Sequence, residues 1–119
     1  MHKEAKIIHR DIKLENILID FDYQGNVKTH LTDFGFSQEI EQLHRENKYY
    51  IVGTPNYFAI EMLTRGMIIP NKYYYDERID IWCLGVAMFI LLFGHAPFSS
   101  AIYNKYGVMV EPQIRGGSP

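Results

Sequence analysis

The chain has 119 residues, 47% of them hydrophobic and 22% charged, which is the balance of a globular sequence rather than a disordered one and sets a limit of one domain with a modest core. Twelve Lys and Arg against fourteen Asp and Glu leave a formal net charge of −2, so the totals exclude a strongly basic binder, and neither nucleic acid nor membrane is expected as a partner. The single cysteine, Cys83, excludes an internal disulfide framework, and the charged start Met1-His2-Lys3-Glu4-Ala5-Lys6 has no apolar stretch behind it, so a cytoplasmic (intracellular) location is expected.

In chain order, Lys6–Ile8 and Ile17–Ile19 are short apolar segments on either side of a polar cluster, His9-Arg10-Asp11-Ile12-Lys13-Leu14-Glu15-Asn16. Asp20, Asp22, Gly25 and Asn26 supply turn chemistry before Val27–Thr32, which predicts a strand, a turn and a second strand. Asp33-Phe34-Gly35 follows at the mouth of the second strand, where Gly35 is expected to adopt angles other residues resist, forming a joint that can flip. Phe36–Asn56 shows no clear period and is predicted as a long irregular segment, a candidate regulatory element. Glu61–Arg65 followed by Gly66 reads as a short helix with a glycine stop, and Met67–Tyr75 as a loop carrying three consecutive tyrosines. Ile81–Phe93 is uncharged and apolar all the way round; a membrane span needs about 20 such residues, so this run is predicted as a helix enclosed by protein, with Asp80 as a candidate N-cap. After Pro97-Phe98 the signal fades, and no internal repeat is present.

The two polar clusters together form a parts list for phosphoryl transfer. That chemistry needs a divalent metal, oxygen ligands for it, a cation at the phosphates and an acceptor for the nucleophile's proton. Mg²⁺ takes few protein ligands and keeps substrate phosphates as the others, which fits one carboxylate, Asp33, and one amide, Asn16. Asp11 precedes Asn16 by five residues, so a loop between them can aim one at a substrate hydroxyl and the other at the metal, while Lys13 can reach the transferring group.

With these residues in hand, the sequence resembles the catalytic lobe of eukaryotic protein kinases. H-R-D-x-x-x-x-N is matched by His9, Arg10, Asp11 and Asn16, and D-F-G by Asp33, Phe34 and Gly35. Gly53-Thr54-Pro55-Asn56-Tyr57-Phe58-Ala59-Ile60-Glu61 is similar to the end of an activation segment, and Asp80-Ile81-Trp82-Cys83-Leu84-Gly85 to the start of the family's central helix. Four motifs in family order make the resemblance specific, and it covers roughly residues 5–98 of a domain expected over 1–119. It implies a mainly α fold with a small β-hairpin element, a partial C-lobe of the kinase α+β fold with the N-lobe absent.

The resemblance also implies roles. Asp11 would orient or accept the substrate hydroxyl proton, Lys13 would contact the γ-phosphate of ATP, and Asn16 and Asp33 would hold Mg²⁺. Leu18 would lie under the adenine ring. His9 and Phe34 would pack in the family's internal spine, and Asp80 would bond the backbone around His9 and Arg10. Serine/threonine kinases carry lysine where Lys13 stands, and Thr54 matches the threonine that bonds both catalytic residues, so the implied substrate is a protein Ser/Thr acceptor.

Several positions depart from the family pattern. Arg10 marks regulation by a phosphate on the activation segment, yet the usual threonine position is Tyr50, with Tyr49 beside it; Tyr50 is either the switch or a bulky replacement that leaves Arg10 unpaired. Ile60 replaces the proline of alanine-proline-glutamate, and the arginine partner of Glu61 is expected beyond Pro119. No G-x-G-x-x-G occurs, and the only lysines before His9 are Lys3 and Lys6, so a missing N-lobe or upstream region is expected as a partner and little activity is expected of this polypeptide alone. Three functions compete: a piece of a serine/threonine kinase, a non-catalytic kinase-like interaction module using Phe36–Glu61, and a small membrane-associated protein using Ile81–Phe93, the last disfavoured by its length.

Overall fold

The computed structural model describes residues 1–47, 49–63 and 75–98. Strand β1 (Ile7–Ile8) pairs antiparallel with β4 (Gln38–Glu39), placing Ile7 opposite Glu39. Strand β2 (Ile17–Phe21) pairs antiparallel with β3 (Val27–Leu31), from Ile17 opposite Leu31 to Phe21 opposite Val27. Between β2 and β3 the Asp22 carboxylate accepts the backbone N–H groups of Gln24 at 2.9 Å and Asn26 at 2.8 Å, and Gly25 takes φ +84°. The hydrogen bond from the Asn26 backbone is the largest cause holding the Asp22 carboxyl below its ordinary range.

These strands overturn the expectation of a mainly α fold with one small hairpin, because they lie in two separate two-stranded sheets alongside the helices. At two residues each, β1 and β4 are too short to show a period, and their pairing is set by tertiary contact. Phe36–Asn56 is likewise not irregular throughout. It holds β4, helix α1 (Ile40–Glu46) and the start of a 3₁₀ turn at Pro55–Tyr57. Helix α1 buries only Leu43 and stops where Asn47 turns left-handed at φ 55°, donating its N–H to the Leu43 carbonyl. Helix α2 (Ile60–Leu63) begins at Ile60, the position where the sequence lacks proline; its expected stop at Thr64–Gly66, and the loop from Met67 to Tyr74, lie outside the described residues.

Helix α3 (Arg78–Phe93) closes with Gly94 at φ 78°, whose N–H meets the Ile90 carbonyl at 2.8 Å. Its buried residues are Ile79, Asp80, Cys83, Val86 and Ala87, so one face organises the core. On one side Ile79 joins Ile8, Leu43, Tyr49, Phe58, Met62 and Tyr75; on the other Cys83, Val86 and Ala87 meet Ile12 and Tyr57. Trp82 packs against both groups. The helix is not enclosed all round: Ile81, Leu84, Met88, Leu91 and Leu92 are exposed, Leu92 by 74%. An apolar residue on every face therefore predicted more cover than the described residues supply. Among them, no helix is long and apolar enough to cross a membrane.

Candidate active site

The His9–Asn16 loop is fixed from beneath by Asp80. That carboxylate is 1% exposed and accepts the backbone N–H of His9 at 2.8 Å and of Arg10 at 3.0 Å. The same oxygen that receives His9 also meets His2 Nε2 at 2.8 Å. Asp80 sits in the first turn of α3 but does not cap it; Glu77 holds the N-cap position without a side-chain capping bond, and Asp76 just before it takes the Arg78 N–H at 2.9 Å. Asp76 also pairs with the Arg78 guanidinium at 2.7 Å, and that side-chain hydrogen bond is the main cause lowering its carboxyl.

His9 is fully buried and its two ring nitrogens have complementary partners. The Asp11 N–H can only donate, so Nδ1 accepts it at 3.1 Å; the Thr32 carbonyl can only accept, so Nε2–H donates to it at 2.9 Å. The two contacts therefore fix which ring nitrogen donates and which accepts. The Phe34 ring meets its edge with centroids 4.8 Å apart. Thr32 is pinned again through its N–H, which donates to the Asn16 carbonyl at 2.9 Å. Two bonds on Thr32 thus set the start of the Asp33-Phe34-Gly35 turn.

Asp11 is 6% exposed and stands at the centre of a short relay. Thr54 Oγ1 donates to Asp11 Oδ1 at 2.8 Å and accepts from Lys13 Nζ at 2.9 Å. Asn16 returns to Asp11 through a 3₁₀ turn, Leu14–Asn16, donating Nδ2 to the Asp11 carbonyl at 2.8 Å, with Asp11 Oδ2 at 3.4 Å. Both partners are acceptors, so the Asn16 amide nitrogen must face Asp11, and its oxygen is the atom that could serve a ligand. Tyr57, buried below, accepts the Leu14 N–H at 3.3 Å, and burial pushes its phenol up. Its carbonyl receives the Cys83 thiol at 3.2 Å, and burial raises that thiol from 9.0 to about 12.

Asp33 is held differently. It is exposed, takes the left-handed φ of 58°, and accepts only a long 3.3 Å bond from the Gly35 N–H among the hydrogen bonds found. Gly35 has no positive φ, so the unusual backbone expected at the glycine falls on Asp33 instead. Leu18 is half exposed on β2, opposite His30.

Arg10 also adopts a left-handed φ, 69°, and is not unpaired. Its Nε donates to the Phe36 carbonyl at 2.6 Å, and a terminal nitrogen donates to the Tyr75 hydroxyl at 3.2 Å. Tyr49 is buried against Tyr75 and bonded to His44 at 2.8 Å, whereas the Tyr50 ring is exposed. Glu61 is half-buried beside a cavity of about 560 Å³ that Arg78 and Trp82 also line, and it forms no ion pair among the described residues. His2 and Tyr75 are the site residues the sequence did not reveal. Neither belongs to a motif with a mechanism of its own, and only the fold brings them to Asp80 and Arg10.

The family model described as "Protein kinase domain" matches residues 1–114. The chain is 41% identical over 117 positions to the probable serine/threonine-protein kinase PLK of Dictyostelium discoideum, covering 91% of this chain and 11% of that protein. It is 42% identical over 112 positions to CBL-interacting serine/threonine-protein kinase 18 of Arabidopsis thaliana, covering 93% and 19%. It is 39% identical over 109 positions to the cAMP-dependent protein kinase catalytic subunit of Dictyostelium discoideum, covering 88% and 14%. The chain thus spans less than a fifth of the length of each of these relatives. The family match runs as one stretch and does not single out a C-lobe, and the structure carries strands in two sheets; the expected C-lobe lacking its N-lobe is accordingly withdrawn. Order, spacing and geometry of the two polar clusters agree with that match: the chain belongs to the protein kinase domain family.

Proposed function

We propose that the protein bearing this chain transfers the γ-phosphoryl group of ATP to a serine or threonine of a protein substrate, with Mg²⁺ as cofactor. The observation that carries this is the relay in which Lys13 and Asp11 meet on one Thr54 hydroxyl. Asp11 Oδ2 is the base oxygen toward the acceptor hydroxyl, since Oδ1 takes the short Thr54 bond and Oδ2 only the 3.4 Å approach of Asn16. Lys13 brings a cation beside that oxygen, and Thr54 fixes the distance between them. The donor set fits Mg²⁺: Asn16 offers an amide oxygen turned from Asp11, and Asp33 an exposed carboxylate. When bound, the metal neutralises charge on the phosphates. Leu18 offers an exposed apolar side chain for the adenine ring. His9, Phe34, Gly35, Glu61 and Asp80 have structural roles.

Arg10, Tyr49 and Tyr50 are the proposed regulatory residues. The exposed ring makes Tyr50 the better phosphate acceptor of the two tyrosines, and mass spectrometry of the active protein showing neither modified would remove that role. The 119-residue polypeptide by itself is proposed to turn over little, because its sequence holds no glycine-rich loop to cover ATP. Cytoplasmic placement is proposed from its one buried thiol.

The deciding experiment is label transfer from ATP to a Ser/Thr peptide library by the natural protein, with and without Asp11→Asn. Loss of about 10²–10⁴-fold is expected from removing a general base. Equal transfer by both proteins would overturn the assignment, and no transfer by either would leave the interaction module as the better account.

A further inference from the structure

We propose that Tyr75 is a positioning residue that locks the activation segment to the catalytic loop without a phosphate. The idea rests on the phosphoryl-transfer assignment of Asp11 and adds to it the Tyr75 hydroxyl, the Tyr50 carbonyl and the Arg10 guanidinium, which that assignment does not use. The Tyr75 side chain is 3% exposed, and its hydroxyl is used on both sides: it donates its one proton to the Tyr50 carbonyl at 2.6 Å and accepts from Arg10 at 3.2 Å. One buried oxygen therefore ties the segment's backbone to the residue preceding Asp11.

The tie has a second point of attachment. Four residues after Tyr50, Thr54 donates to Asp11. Between them Gly53, at φ +107°, lies so close that a Cβ there would collide with the Arg10 carbonyl oxygen. Residues 50–54 are thus anchored at both ends to the consecutive pair Arg10 and Asp11. Arg10 can serve this purpose because it is itself immobilised: Asp80 holds its N–H and the Phe36 carbonyl holds its Nε. The Tyr75 ring is fixed edge-on to the buried Tyr49, with centroids 5.3 Å apart. A phosphate on the segment would bind Arg10 by charge; here a neutral phenol occupies one guanidinium nitrogen and passes the constraint to the Tyr50 backbone.

Amide hydrogen exchange on the natural protein tests the tie without requiring catalysis. Tyr75→Phe keeps the ring and its packing but loses both bonds. Exchange at Tyr57 and Phe58, whose N–H groups donate to the carbonyls of Thr54 and Pro55 at 2.9 and 3.1 Å, is expected to rise at least tenfold while the amides of α3 stay unchanged, a local effect that a purely structural ring would not produce. Phosphatase treatment of the unsubstituted protein is expected to change nothing at Tyr57 and Phe58. Arg10→Lys, which cannot reach both acceptors with one ammonium, should expose the same amides, and the two substitutions together should add little to either. Protection within twofold of the unsubstituted chain in Tyr75→Phe, or its loss on dephosphorylation alone, would overturn the proposal. If Tyr75→Phe unfolds, Arg10→Lys carries the same two outcomes. In the natural protein, Tyr75→Phe should lower kcat with little change in KM for ATP; should Asp11→Asn leave transfer intact while the exchange result holds, the catalytic assignment fails and the tie stands.

Discussion

Asp11 and Asp33 carry the same carboxylate in opposite settings. Asp11 is 6% exposed, bonded by Thr54 and approached by Asn16, on a loop whose backbone Asp80 grips. Asp33 is exposed, and its one hydrogen bond found, from Gly35, is 3.3 Å long. Its orientation is set by backbone alone, a left-handed φ costing on the order of 1–3 kcal/mol that Thr32 sustains through its bonds to His9 and Asn16. The contrast suits a division of labour. Under the proposed function, a group that must meet a hydroxyl at one distance is fixed by the fold, whereas a ligand whose partners would arrive with the nucleotide is left for them to orient.

The contrast predicts a gradient of mutational cost. The largest effect belongs to Asp80→Ala, which strands the N–H groups of His9 and Arg10 together with His2; urea unfolding should show a loss of about 3–5 kcal/mol, as for one partner removed from a buried charged network. A loss below 1 kcal/mol would mean that the Asp11 loop holds itself. Thr54→Val should come next, at about 1–3 kcal/mol, since it leaves Asp11 Oδ1 and Lys13 without their shared partner.

The dry floor under Asp11 can be probed by pH. The Cys83 thiol is protonated in folded and unfolded chains below 9.0, but between 9.0 and about 12 only the unfolded chain ionises, so its contribution to stability is lost as pH rises through that window. At pH 10 the loss is roughly 1.4 kcal/mol. Comparing denaturation of the parent and Cys83→Ala from pH 8 to 10.5 isolates it, and parallel profiles would show that water reaches the thiol. Asp33→Asn should be the mildest, within about 0.5 kcal/mol as for other exposed substitutions. Calorimetry of the natural protein should nonetheless find Mg²⁺–ATP binding weakened; a large stability loss instead would erase the distinction between the two carboxylates.

Much of the candidate site was legible because its residues act through short chain intervals or fixed motifs. Asp11 and Asn16 meet through one 3₁₀ turn, and the Lys13–Thr54 contact and the Asp80 brace stand where the family resemblance implied them. The illegible parts are those decided by packing. His2 and Tyr75 acquire partners 78 and 65 residues away, which no local pattern encodes. The same holds for the pairing of β1 with β4, while α1 shows only two apolar positions, Ile40 and Leu43, too few to establish a helical period. The run Ile81–Phe93 misled in the other direction, since hydrophobicity records what a surface prefers and not what covers it.

The brace from Asp80 also has a kinetic meaning. Its bonds to His9 and Arg10 span 71 and 70 residues, so the loop bearing Asp11 acquires its support only after a long chain closure. Helix α3 can form from its own residues beforehand, but the Asp11 loop cannot be secured before α3 docks. Assembly of the site should therefore report the last stage of folding rather than the first, and a chain with secondary structure already in place would still lack a positioned Asp11.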